Sequence, residues 1–228
     1  MLLFYVRHGE PIYTPDQLTP LGHRQAKAVG DWLTRFNIDQ IYASTSNRAM
    51  QTAQPLADLL QKEITPVDWA NEAYTWGEFT LETPAGRQWL FSTEALKRRF
   101  TEPDVLALGH RWYDHPTFAD YDYGKAVNRV YNDVDAFFGS LGYEHERYTG
   151  RYKVIRPNND QVALFAHQGF GFAFLSSVLD IPYSQMVVHF DMGHSAVTII
   201  DFKEDGGYAI PKIVTLASEA HLYTGGLR

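Results

Sequence analysis

Three apolar runs of the chain end on residues suited to an anion. Leu2-Leu3-Phe4-Tyr5-Val6 stops on Arg7-His8-Gly9. Gln161 to Ala166 stops on His167-Gln168-Gly169, and Ile41-Tyr42-Ala43 stops on Ser44-Thr45-Ser46-Asn47, which leads into a segment holding Arg48. If the runs are parallel strands, their carboxyl ends share one edge, where open α/β sheets bind ligands. Two imidazoles and two guanidiniums would then converge there, joined by backbone N–H groups at helix N-termini. This set matches phosphoryl chemistry. Arginines grip the peripheral oxygens in pairs, a neutral imidazole attacks phosphorus, and a second imidazole holds a non-bridging oxygen. The leaving oxygen still needs an acid, and Glu72 or Glu78 could supply it. His194-Ser195 precedes another predicted strand at the same edge and would add a phosphate contact through His194 or the Ser195 backbone. Gln168 would reach substrate from beside His167. No metal or cofactor is required, because the arginines and histidines carry the positive charge.

The elements that must position these residues can be read from pattern. The run at 2–6 is apolar throughout, as in a strand buried on both faces. Thr19 reads as an N-cap with Pro20 at the first helical position, and Leu21, Ala28, Val29, Trp32, Leu33 and Phe36 supply the helix's apolar residues. The short strand 41–43 leads to a second helix carrying Met50, Ala53, Leu56, Ala57 and Leu60, with Arg48 expected in its second turn. Ile64-Thr65-Pro66-Val67 reads as an edge strand, since Pro66 cannot donate to a ladder. The β-α-β-α-β order predicts an α/β fold with a largely parallel sheet and helices on its faces. Residues 72–123 break the pattern with Trp, Tyr, Phe and His and read as an inserted cap. Beyond it the sequence predicts a helix over 125–141, a hairpin over 143–155 centred on Thr149-Gly150, strand 161–166 and helices at 170–180 and 183–189. Strands 196–202 and 208–217, joined by a Gly206-Gly207 turn, would close the sheet.

The composition bounds the alternatives. Of 228 residues, 45% are hydrophobic and 14% aromatic, enough for a sizeable core. A formal charge of −7 argues against a nucleic-acid partner and against a polybasic membrane contact. No cysteine is present, which removes disulfides and thiolate chemistry and fits a cytoplasmic protein. The first residues are too short for a signal segment before they meet Arg7, and no run approaches a membrane span. The histidines at 110, 115, 145, 189 and 221 lack metal-ligand spacing, and His23 reads as a surface or packing residue on its helix. Tyr74, Trp76, Phe79, Trp89, Phe91, Trp112 and Tyr113 would build the cap's own small core or an apolar wall over the pocket. Arg87, Lys97, Arg98 and Arg99 read as a solvated face.

Arg7-His8-Gly9-Glu10 resembles the RHG signature of the histidine phosphatase superfamily, the phosphoglycerate-mutase-like family. Leu18-Thr19-Pro20-Leu21-Gly22-His23-Arg24-Gln25-Ala26 resembles its LTxxGxxQA helix, and residues 43–53 resemble its SxxxRAxQTA segment. Phe165-Ala166-His167-Gln168-Gly169 resembles its second-histidine segment. The four motifs occur in the family's order over residues 4–171; the stretch from about 78 to 123 is unmatched. The resemblance implies a single three-layer α/β/α domain over 1–228 with a mostly parallel sheet and an inserted cap at about 78–123. It implies that His8 becomes phosphohistidine, that Arg7, Arg48 and His167 bind the phosphoryl group, and that Glu72 protonates the leaving group and activates water. One extra residue between Glu72 and the following glycine keeps Glu78 as a rival. Pro11 and Thr14 stand where the family's mutases carry Ser or Thr and Asn, and Glu72-Ala73 replaces their Glu-Arg pair. The expectation is therefore a metal-independent phosphomonoesterase acting on a small-molecule phosphate ester. A mutase of the same architecture and a catalytically weak phospho-ligand-binding protein are the alternatives. The residues carry no information on oligomeric state.

Overall fold

Leu2–Arg7 forms the first strand, β1, whose side chains alternate between two cores. Leu3 and Tyr5 face one, Phe4 and Val6 the other, and all four are fully buried. Each such side chain contributes about 1.5–3 kcal/mol by leaving water, which explains the unbroken apolar run. The structure is a computed structural model and describes residues 1–223 and 225–228.

After β1 come β2 (Pro11–Tyr13), β3 (Asp16–Leu18), α1 (Pro20–Leu33), β4 (Gln40–Ser44), α2 (Asn47–Leu60), β5 (Ile64–Val67) and α3 (Glu72–Glu78). Then follow β6 (Thr80–Thr83), β7 (Gly86–Trp89), α4 (Glu94–Phe100), α5 (Pro103–Leu106) and α6 (Tyr123–Ser140). The chain continues through β8 (Tyr143–Glu146), β9 (Arg151–Val154), β10 (Gln161–Ala166), α7 (Gln168–Leu179) and α8 (Tyr183–His189). It closes with β11 (Val197–Asp201), β12 (Glu204–Asp205), β13 (Tyr208–Ala209), β14 (Lys212–Ser218) and α9 (Ala220–Tyr223).

The central sheet runs β14-β11-β1-β10-β4-β5. Neighbours β1, β10, β4 and β5 pair in parallel, while β11 runs antiparallel to both β1 and β14. Helices α1 and α2 cover one face; α6 and α7 cover the other. The result is the expected three-layer α/β/α fold, with His8, Ser44 and His167 at the ends of β1, β4 and β10.

Three local expectations are corrected. Gly206 and Gly207 have positive φ (60° and 84°) but join β12 to β13, in a separate antiparallel sheet ordered β12-β13-β9-β8. The predicted strand 208–217 is split at Ile210-Pro211, where proline has no N–H for a ladder, and only β14 enters the central sheet. The aromatics of 79–122 do not make a core of their own: Phe79, Phe100, Trp112 and Phe118 belong to the same cluster as α6 and α7.

Candidate active site

Thr19 caps α1, its Oγ1 accepting from Gly22 N at 2.9 Å, with Pro20 next in line as expected. Gly22 matters for a further reason. A Cβ there would lie 2.2 Å from Glu10 O, and a Cβ on Gly9 would lie 2.7 Å from Gly22 O. The two glycines let the backbone after His8 lie directly on α1. Gly9 is thus required for backbone packing rather than for approach of a ligand. Gln25 Oε1 accepts from Glu10 N at 2.8 Å and its Nε2 donates to Leu227 O, while Thr52 Oγ1 accepts from Gly9 N at 3.0 Å and donates to Arg48 O. The family-like Gln and Thr therefore clamp the His8 turn between α1 and α2.

His8 is 1% exposed. Its Nδ1 lies 2.7 Å from Gly9 O, and its Nε2 receives Arg48 Nε at 3.2 Å. A carbonyl only accepts and a guanidinium only donates, so both contacts select the tautomer with the proton on Nδ1 and a lone pair on Nε2. Burial, and then the charges of Arg48 and Arg7, hold the ring well below the usual imidazole range and keep it neutral.

His167 is fully buried, with its ring 5.2 Å from that of His8. Its Nε2 is 2.8 Å from Ser44 Oγ, and Tyr5 Oη donates to its carbonyl. Burial, His8 and the two arginines hold it well below the usual imidazole range; the 3.5 Å approach of Glu72 to Nδ1 does not offset them. His167 Nδ1 and Arg7 Nε, both buried beside His8, have no hydrogen-bond partner within the protein. Arg7 Nη1 is anchored on Met192 O.

Arg48 lies in the first turn of α2, not the second. The reason is Asp16, whose Oδ2 accepts from Asn47 N at 2.8 Å and starts the helix from outside while Oδ1 takes Arg48 Nη1 at 2.8 Å. Arg48 Nη2 reaches Glu72 Oε2 at 2.9 Å, and Glu72 Oε1 accepts from Gly169 N at 3.0 Å. Asp16 and Glu72 thus sit on the helix N-termini expected to lie open to an anion. Sequence reasoning missed Asp16; an acid behind Pro15 looks like any turn residue.

His194 joins the group, its ring 5.8 Å from His8 and its pKa pushed down to about 4 by burial and Arg7. The Ser195 backbone does not face a ligand: its N–H donates to His8 O at 3.0 Å. Glu78 is turned away, with both carboxylate oxygens on Arg129 at 2.7 and 2.6 Å. Gln168 is tied to Asp191. His23 is exposed. Arg99 and Lys97 are paired with neighbouring acids. His8, His167 and Glu72 bring one ligand atom each within 4.8 Å, the only such cluster among the described residues. Arg48, donating to both His8 and Glu72, makes it a place for an anion rather than a cation. Above it opens a cleft of about 720 Å³, whose lining includes Tyr13, Arg48, Glu72, Trp76 and Trp89.

A parallel α/β sheet with paired neutral histidines and arginines at its carboxyl edge defines a phosphoryl-handling class. The chain belongs to the histidine phosphatase superfamily (branch 1), whose family model matches residues 3–212. Phosphoserine phosphatase 1 of Hydrogenobacter thermophilus is 24% identical over 156 residues, 64% of this chain and 67% of that protein. A phosphoserine phosphatase mutant from Entamoeba histolytica, in complex with phosphoserine, superposes with a TM-score of 0.63 at 19% identity, covering 97% of this chain and 98% of that one. The mycobacterial glucosyl-3-phosphoglycerate phosphatase gives 0.61 at 19% identity, covering 96% and 99%. At such identities the structural likeness speaks for the fold. No helix among the described residues is long and apolar enough to cross a membrane.

Proposed function

We propose that the protein hydrolyses a small-molecule phosphate monoester through a phosphohistidine on His8. The observation that carries this reading is the pair of contacts on the His8 ring, Gly9 O at Nδ1 and Arg48 Nε at Nε2. His8 Nε2 is an unprotonated lone pair at a sheet edge, flanked by two buried donors without protein partners, Arg7 Nε and His167 Nδ1. These donors, with Arg48 and His194, would hold the non-bridging oxygens. Nε2 attacks phosphorus as the P–O bond to the leaving group breaks, and Glu72 gives its proton to the departing oxygen. Glu72 then takes a proton from water, whose oxygen attacks the phosphohistidine, releasing phosphate and returning Nε2. For this cycle the phosphoryl oxygens displace Glu72 from Arg48 and Gly169 N, so that it takes up the proton it then gives, and draw Arg48 Nε off His8 Nε2, which frees the attacking lone pair. Residues from about 78 to 123, bearing Trp89, are read as the cap over the cleft.

Pro11 and Thr14, where the family's mutases carry Ser or Thr and Asn, favour hydrolysis over mutase chemistry. The cysteine-free, acidic chain is read as cytoplasmic, without nucleic-acid or membrane partners. The test is rapid-quench hydrolysis in EDTA followed by mass spectrometry of the His8 peptide. An acid-labile phosphoryl adduct that is absent from His8→Ala supports the reading. Steady turnover of monoesters by His8→Ala would end it.

A further inference from the structure

We propose that the cleft beyond the phosphoryl position selects a neutral leaving group carrying a flat aromatic ring, with Trp76 and Tyr13 as specificity residues. This inference rests on the phosphatase reading above. Three aromatic side chains line the cleft: Tyr13, Trp76 and Trp89. Trp89 is fixed. It stacks on Phe91 at 5.2 Å and takes Trp76 edge-on at 5.0 Å. Its indole also fills the space of an absent side chain, since a Cβ on Gly169 would lie 2.5 Å from it. Tyr13 and Trp76 remain 64% and 39% exposed. One face of Tyr13 is covered by the Arg48 guanidinium, 5.4 Å from its centroid. Tyr13 on β2 pairs with Asp16 on β3, and Trp76 shares α3 with Glu72, so ring and phosphoryl group would be positioned together.

Charge narrows the choice. A leaving group with its own carboxylate or phosphate needs a second cation, and among the described residues Arg48 is the only one lining the cleft. Its guanidinium is already divided among His8, Asp16 and Glu72. Arg87 spends Nε on Thr80 and Nη2 on Gly77 O, and Arg129 is held by Glu78 and Asp133. A cationic leaving group fares no better, because Asp16 is committed to Arg48 and to the Asn47 N–H, and Glu72, once displaced, carries the proton for the leaving oxygen. A cleft of about 720 Å³ is also larger than a glycerate or serine moiety fills. An uncharged ring stacked on exposed aromatic faces satisfies all three conditions.

The test compares naphthylethyl phosphate with propyl phosphate, two primary alkyl esters of similar leaving-group basicity, alongside phosphoserine and phosphocholine. The expected result is a kcat/KM at least about tenfold higher for the naphthyl ester. Trp76→Ala should lower that value about tenfold and the value for propyl phosphate by clearly less, with Trp76→Phe restoring most of the naphthyl preference. On the unmutated protein, a naphthylalkyl phosphonate should compete at least about tenfold better than propyl phosphonate, a reading that does not depend on any variant folding. Preference for phosphoserine or phosphocholine, equal use of both alkyl esters, or an equal loss on both in Trp76→Ala would each overturn the inference while leaving the phosphatase intact. Release of phosphate from none of the esters would overturn the phosphatase reading itself.

Discussion

Helix α7 has histidines at both ends in opposite charge states. At its N-terminus His167 is buried against His8, Arg7 and Arg48 and stays neutral. At its C-terminus lies His145, also 1% exposed in its side chain, between Asp135 at 2.8 Å and Asp180 at 3.2 Å. Burial alone would lower its pKa, but hydrogen bonds to the two carboxylates overcome this and raise it to about 9. The same residue type at similar burial becomes either a neutral ring beside His8 or a structural cation, and the nearest charges decide which. The helix dipole agrees with the arrangement: Glu72 sits on the N-terminal N–H of Gly169, and a cation sits near the C-terminal Asp180.

The sharpest way to break this contrast is to remove the neutral His8, the nucleophile of the proposed reaction. His8→Ala should lower phosphatase kcat on the order of 10⁴-fold or more with little change in melting temperature. If activity survives, the neutral group is not the chemical one. Glu72→Gln should cost about 10²–10⁴ in kcat, and burst kinetics would separate its effect on the first and second steps. At the other end of α7 the expected loss is stability rather than rate. His145→Leu leaves the buried Asp180 carboxylate without its cation and should cost about 3 kcal/mol in urea unfolding at pH 7, with kcat preserved.

Stability against pH sharpens the comparison further. His8, His167, His194 and His221 have folded pKa values below the unfolded value of about 6.5. Below that pH the unfolded chain binds more protons, so stability should fall as pH drops from about 6.5 through about 4, where His194 and His221 titrate. His145 works in reverse. Its contribution is complete below the unfolded value and is lost as pH rises through about 9. Urea titrations from pH 4 to 9.5 should therefore show a maximum near 6.5, and His145→Leu should flatten only the alkaline side. The smallest effect belongs to Glu78→Gln, which loses a partly exposed pair with Arg129: about 1 kcal/mol of stability, and activity within about twofold of the parent.

Much of the fold was legible because its strands are buried on both faces and its first helix announces itself with Thr19 and Pro20. Glu72 and Glu78 are six residues apart on α3, and the sequence left them as rivals; only the packing of Arg129 on α6 removes Glu78 from the site. The β14 boundary was misplaced because a short hairpin in a second sheet reads locally like the continuation of a strand. The aromatics at 72–123 offered no period from which to divide core from cleft, and burial divides them: Phe79 and Trp112 inside, Trp76 half open.

By itself the sequence determined which residues could meet at one sheet edge, two histidines and two arginines, given that the short apolar runs before them form parallel strands whose carboxyl ends lie together. Tertiary structure decided the rest. It chose the proton position on His8 through Gly9 O and Arg48, and it brought Asp16 to the start of α2. It also set the charge of each histidine, because a pKa depends on the fields of groups distant in the chain, and no local pattern records which of them become neighbours.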